Sequence, residues 1–163
     1  MIPYEEIKEQ LARLFPETAF EEFRGMWSIK PAGKDLPNMM KYLKTDSRLQ
    51  FIYLTDITAV DFLKQEREPR FDVVYHLHSL SNNQRLRIKM SVSEDEPSIP
   101  TVSGVWKAAL WLEREVYDMF GIVFEDHPDL RRILMPDMFD GFPLRKDYPL
   151  RGRGERDVVL DLK

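Results

Sequence analysis

The stretch from Ser103 to Gly121 constrains the fold more than any other part of the chain. On a helical wheel of about 100° per residue, Val105, Ala109, Leu112, Val116, Met119 and Phe120 form one apolar sector. Trp106, Leu110 and Tyr117 widen that sector past half the circumference. A helix apolar over so wide an arc must be covered on two sides, so the rest of the chain has to supply both covers. Ser103 is the predicted N-cap and Gly121 the predicted left-handed C-cap. Glu113 points into the middle of the apolar arc. Arg114 and Asp118, spaced four apart, share the narrow polar strip with Lys107 and Trp111, and an acid beside Arg114 near a helix end reads as an ion pair. A carboxylate buried in an apolar arc needs a partner, because an unpaired buried charge is costly. Arg131, Arg132 and the backbone N–H groups after the helix are the nearest candidates in sequence, with a residue of another protein as the alternative.

The segments before this helix read as the material beneath it. Ile7, Leu11, Leu14 and Phe15 follow helical spacing until Pro16. Phe23, Trp27 and Ile29 lie on one face of a strand pair with Glu22, Arg24, Ser28 and Lys30 opposite, broken near Gly25 and ended by Pro31. Asp35 is placed to cap a helix through Met39, Met40 and Leu43 that ends near Thr45, with Pro37 in its first turn. Phe51 to Asp61 is apolar on both faces and reads as a strand that is central or covered on both sides. Phe71, Val73, Tyr75 and Leu77 alternate with Asp72, Val74, His76 and His78; after Ser81-Asn82-Asn83, Leu86, Ile88, Met90 and Val92 alternate with Arg85, Arg87, Lys89 and Ser91. That pattern predicts an antiparallel hairpin. The charged link from Gln65 to Arg70 reads as a solvated connection. Together these predict a mixed α/β (α+β) fold: a largely antiparallel sheet of about five strands with two to three helices.

Past Gly121 the pattern changes. Prolines at 128, 136, 143 and 149 exclude a long helix or a central strand, so the expected organisation is a core over residues 1–121 and an extended C-terminal arm over 122–163 that packs on a partner. Arg145, Lys146, Arg151, Arg153 and Arg156 face only Asp147 and Glu155, so the end of the arm is locally positive.

Composition closes off several function classes. Lys and Arg number 24 against 28 Asp and Glu, a formal charge of -4, which is unlike a nucleic-acid binder. With 0 Cys the chain has no thiolate for zinc or an iron–sulfur cluster and no cysteine nucleophile. His76 and His78 project from one strand face, but a zinc site wants three or four ligands and no third histidine is near in sequence, so no metal site is expected. Glu113, Asp118 and His127 could be imagined as acid and base groups around a cleft; the missing nucleophile, metal and phosphate motifs argue against catalysis. The N-terminus lacks a secretory pattern, and no segment approaches the roughly 20 apolar residues of a membrane span.

At Glu113-Arg114-Glu115-Val116-Tyr117-Asp118-Met119-Phe120, followed by His127, Arg131, Ile133 and Leu134, the sequence resembles the thirty-kilodalton subunit of respiratory complex I, the type I NADH:quinone oxidoreductase. Leu54-Thr55-Asp56-Ile57-Thr58-Ala59-Val60-Asp61 and Tyr75-His76-Leu77 resemble the family's central strands, and Pro143-Leu144-Arg145-Lys146-Asp147 its tail. Asp126 stands where a glycine often precedes the histidine, and Phe142 where a histidine often precedes Pro143. The resemblance implies a non-catalytic subunit of the hydrophilic arm, packed on the quinone-reactive subunit and the iron–sulfur subunits. It implies that NADH, FMN, clusters and quinone are held by those partners, with attachment to the cytoplasmic face of the membrane only through the complex. Glu113, Arg114, Glu115, Asp118, His127, Arg131, Arg145, Lys146 and Asp147 become the expected signature and interface residues. The rival readings are the equivalent subunit of a membrane-bound hydrogenase or a ferredoxin- or F420-dependent relative, and a free-standing small-molecule enzyme.

Overall fold

The protein is described from a computed structural model that covers residues 2–65 and 67–154. Met1, Glu66 and residues 155–163, including Glu155 and Arg156 of the expected basic tail, lie outside the described residues. In chain order the elements are α1 (Tyr4–Leu14), β1 (Ala19–Phe23), β2 (Met26–Lys30), α2 (Leu36–Thr45), β3 (Tyr53–Asp61), β4 (Phe71–Ser79), β5 (Gln84–Val92), β6 (Ser98–Pro100), α3 (Ala109–Phe120) and β7 (Val123–Glu125). Five strands form a mixed sheet in the order β1-β2-β5-β4-β3, antiparallel except where β2 runs parallel to β5. This is the α+β architecture that the alternation predicts, with a two-stranded parallel ribbon, β6-β7, added beside it.

Strand alternation decides which face is inside. Ile29, Ile88, Tyr75 and Ile57 stand in register across β2, β5, β4 and β3, and all are buried. Ile7 and Leu11 of α1, Met39, Met40 and Leu43 of α2, and Val116, Met119 and Phe120 of α3 join them in one core. The opposite register row is polar: Glu21, Ser28, Arg87, His76 and Asp56. Lys30 and Lys89 both reach Glu21 across that face, and Arg67 grips Asp72. Ser28, within that polar row, is buried.

Four expectations change. β3 is an edge strand, not the central one: Leu54, Ile57 and Ala59 face the core while Tyr53, Thr58 and Val60 are exposed. Apolar residues on both faces made it read as doubly covered, whereas the strand buried almost throughout is β4. Arg70, placed in a solvated link, is 2% exposed; its guanidinium donates to both carboxylate oxygens of Asp61 at 2.9 and 2.7 Å. Asp35 makes no side-chain cap; a 3-10 turn over Gly33–Asp35 leads directly into α2, with Pro37 in the first turn as expected. Finally, α3 begins at Ala109, so Ser103 is not its N-cap. The backbone from Val102 to Ala109 runs through turns, with the Val105 and Trp106 N–H groups both donating to the Val102 carbonyl.

The C-terminal end of α3 agrees with the sequence. Gly121 adopts φ 74° and its N–H donates to the Tyr117 carbonyl. Beyond it, Ile122 and Phe124 are buried in the core, so packing continues through β7 before the irregular arm begins. A Cβ at Gly121 would lie 2.5 Å from the Phe142 ring, while one at Gly104 would meet nothing within 4 Å. Gly121→Ala combines a left-handed penalty of about 1–2 kcal/mol with that overlap. Urea unfolding should therefore show a loss of about 2 kcal/mol or more for Gly121→Ala and a change within about 0.5 kcal/mol for Gly104→Ala. Equal effects would mean that neither the turn nor the close approach of the arm matters.

Candidate functional site

Of the expected signature residues, Arg114, Asp118, His127 and Arg131 gather where the arm crosses α3. Asp118 lies one residue before Met119 and Phe120 at the helix end, where the macrodipole disfavours an acid, and its side chain is fully buried. The arm compensates. One carboxylate oxygen accepts the consecutive N–H groups of Ile133, Leu134 and Met135 at 3.0, 2.7 and 2.9 Å, and the other accepts the Arg132 guanidinium at 2.7 Å. Burial alone would push its pKa up, but these donors outweigh it and hold the carboxyl below the usual range. Arg132 also donates to the carbonyls of Asp118 and Gly141.

Arg114 is buried too, and it does not pair with Asp118. Its guanidinium donates to the Arg131 and Arg132 carbonyls at 3.1 and 3.3 Å, lies 3.7 Å from Asp129, and sits 5.1 Å from the Trp111 ring centroid. The polar strip of α3 is thus the seat of the arm. Trp111 remains 63% exposed and shares a groove of about 380 Å³ with Arg114, His127 and Arg131. Arg131 is exposed and pairs with Asp129; Glu115 is exposed.

Glu113 is 0% exposed, as its place in the arc requires. Its partners come from upstream, not from Arg131, Arg132 or the arm's N–H groups. One oxygen accepts the Val102 N–H at 2.7 Å, and the other is bonded to the Thr101 hydroxyl. His127 stands 3.9 Å away with its side chain equally buried. The His127 Nδ1 accepts the Asp129 N–H, which leaves the proton on Nε2, facing the Leu110 carbonyl at 3.2 Å. Burial holds His127 below its ordinary value, so Glu113 has no cation beside it. Burial is the main effect on Glu113 as well; Thr101 and Val102 offset it in part, and the carboxyl rises from 4.5 to about 7. Tyr75, in the core on β4, is likewise pushed up by burial and by the field of Glu113.

The tail residues form a second clasp at the far end of β3. The Lys146 N–H donates to Asp61 at 2.8 Å, and Asp147 lies 3.1 Å from Arg70, which also reaches Glu94. Arg145 donates to the Phe120 carbonyl and its guanidinium lies over the Phe71 and Phe142 rings. Burial would raise Asp61, yet Arg70 and the Lys146 and Leu63 N–H groups bring it from 3.8 to about 2. Asp126, at the position where glycine is frequent, has φ 62°, the conformation glycine adopts most readily. His76 stands opposite Asp56 and Arg87, and His78 opposite Tyr53 and Arg85. Among the described residues no group of three or more His, Cys, Asp or Glu is placed to hold a metal ion, and no helix is long and apolar enough to cross a membrane. The signal that sequence reading missed is Arg70: it looked like one charge in a charged link, and only Asp61, nine positions earlier, could have hinted at its partner.

Residues 29–154 match the family described as respiratory-chain NADH dehydrogenase, 30 Kd subunit. An NADH-quinone oxidoreductase subunit from Geobacter metallireducens is 54% identical over 134 residues, 82% of this chain and 81% of that protein. Among solved structures, a trypsin-resistant fragment of Nqo5 superposes with a TM-score of 0.69 at 36% identity, covering 78% of this chain and 98% of the fragment. A chain of the membrane-bound sulfane sulfur reductase, an archaeal respiratory membrane complex, superposes with a TM-score of 0.74 at 26% identity, over 98% of this chain and 94% of that one.

The carboxylates divide by the sign of their pH dependence. Glu113 is held above its unfolded value, so its contribution is complete below about pH 4.5 and is lost as pH rises through about 7, by roughly 3 kcal/mol. Asp61 is held below its own, so its contribution is complete above pH 3.8 and is lost as pH falls through about 2. Glu113→Gln keeps an acceptor for Val102 and removes the titration. Relative to the unsubstituted chain, this variant should gain about 3 kcal/mol between pH 4.5 and pH 8.5 in denaturant unfolding. An unchanged difference across that range would show Glu113 to titrate as an ordinary carboxylate.

Proposed function

The chain belongs to the respiratory-chain NADH dehydrogenase 30 kDa subunit family, and on that premise we propose that it is a non-catalytic structural subunit of the hydrophilic arm of an NADH:quinone oxidoreductase. In that role it supports electron transfer from NADH to quinone by holding neighbouring subunits in place. The observation that carries this reading is the use made of the signature residues. Arg114 and Asp118 are engaged in internal bonds that lay the arm along α3, and Arg145 and Asp147 in bonds that fix it to the end of the sheet. What they leave outward includes large apolar side chains: Trp111, Leu134, Met138 and Leu144 are each more than half exposed.

We take the quinone-reactive subunit and the iron–sulfur subunits as the partners for this surface, with NADH, FMN, clusters and quinone carried by them. Attachment to the cytoplasmic side of the membrane follows through the complex alone. The archaeal sulfane sulfur reductase chain shares the scaffold over nearly its full length, so one module serves more than one respiratory assembly; the 54% identity to an NADH-quinone oxidoreductase subunit favours the oxidoreductase.

Trp111 has the size and exposure of an interface anchor, and truncating such a residue costs about 2 kcal/mol or more of binding energy. Trp111→Ala, co-expressed with the quinone-reactive subunit, should keep its circular dichroism spectrum and bind that subunit roughly 30-fold more weakly. Leu80→Ala, a comparably exposed residue in the β4–β5 turn, should bind normally. Unchanged binding by Trp111→Ala would remove α3 from the interface. The purified chain mixed with NADH and an artificial acceptor should give no turnover; turnover would overturn the non-catalytic reading.

A further inference from the structure

A cleft lies between α2 and the turns that precede α3, lined also by Asp126 and Pro128. Its volume is about 640 Å³, and Asn38, Lys41, Lys44, Thr45 and Ser103 line it. Lys44 is fixed there, its ammonium donating to the Val105 carbonyl and sitting 5.8 Å from the Trp106 ring centroid. Lys41 is exposed, with no ion pair among the described residues. Asp126 is the one carboxylate in the lining, so the two lysines leave it net positive.

At the floor of this cleft Thr101 connects the lining to the buried acid. Thr101 carries one hydroxyl hydrogen, yet its oxygen stands within donating reach of both Glu113 and Ser103, the latter at 2.9 Å. Only one of those bonds can use that hydrogen at a time. When Glu113 is ionised, Thr101 donates to it, and the Ser103 hydroxyl turns inward to donate to Thr101, showing the cleft lone pairs. When Glu113 is protonated, its own O–H donates to Thr101, Thr101 donates to Ser103, and the Ser103 hydrogen is released into the cleft. One proton on Glu113 thus converts Ser103 from an acceptor to a donor at the cleft wall.

We propose that this cleft is a site for a small oxyanion whose binding is coupled to uptake of a proton by Glu113. Lys41 and Lys44 supply the charge and Ser103 the switched hydrogen bond. The groups facing Glu113 are consistent with a lone protonation event. Tyr75 approaches from β4 and stays neutral; His127 approaches from the arm as the neutral Nε2–H form; Arg114 on the same helix is turned to the arm carbonyls. No cation stands by to hold Glu113 ionised, and its elevation to about 7 places the switch within reach of small pH changes.

Sulfate is the probe, because its charge does not change between pH 6 and pH 8.5. Titrating it into the full chain by calorimetry, with amide shifts of Lys41 and Ser103 to locate it, should show binding about tenfold tighter at pH 6 than at pH 8.5, the direction required by linkage to one proton. Glu113→Gln, which is permanently neutral, should abolish that ratio. Ser103→Ala should weaken binding and flatten its pH dependence without touching the Thr101–Glu113 bond. Lys41→Ala should weaken it at both pH values with the ratio kept. Phosphatidate vesicles separate the sources: flotation that depends on Lys41 and Ser103 assigns the oxyanion to a headgroup, and sulfate binding without flotation assigns it to a free ion. Absence of sulfate at the cleft, or the same pH ratio in Glu113→Gln as in the unsubstituted chain, would overturn the proposal.

Discussion

A buried carboxylate at the wrong end of a helix governs the shape of the second half of this protein. Asp118 sits in the last turn of α3, opposed by the helix dipole and excluded from water. An acid so placed is tolerable only with several donors, and the arm brings four: three successive N–H groups and Arg132. The irregular course from His127 to Met135 is therefore not a want of structure. Its backbone bonds to Asp118 in one direction and to Arg114 in the other, so the two charges of the polar strip satisfy the arm's N–H and carbonyl groups respectively. This is how a segment punctuated by prolines, with no ladder or helix of its own past β7 among the described residues, stays in one position.

The clasp at Asp61 and Arg70 has the same effect at the other end. Arg70 is buried among Asp61, Glu94 and Asp147, and the Lys146 N–H completes the shell of Asp61. Between the clasps, Phe142 comes so close to Gly121 that the helix C-cap admits no side chain there. The arm is thus a strap across the protein's own core, and it leaves Leu134, Met138 and Leu144 outward. A subunit built in this way has a preformed surface, which lowers the ordering cost of assembly.

Glu113 answers to a different balance of forces. It is as buried as Asp118 but receives one N–H and one hydroxyl and has no cation beside it, so it is drawn toward the neutral form while Asp118 and Asp61 are held ionised. The difference arises from which side of α3 each residue occupies: one face meets the core and the turn at Thr101, the other meets a segment rich in free N–H groups.

Local periodicity determined much of this in the sequence alone. The hairpin from Phe71 to Val92, the end of α2 near Thr45 and the inward turn of Glu113 follow from repeats of two or 3.6 residues acting over a few positions, the Gly121 cap from glycine's left-handed freedom, and the family was legible because the spacing from Glu113 to Arg131 is a linear pattern. Only the tertiary structure decided the rest. Apolar residues on both faces of β3 cannot distinguish an edge from a centre, since strand order depends on which strands pair. Arg114 and Asp118 look solvent-facing on any wheel, because their cover is aperiodic chain. The partner of Glu113 lies eleven positions upstream, and Arg70 meets Asp147 across 77 positions. Contacts of that range are made by the packed fold, and no local pattern encodes them.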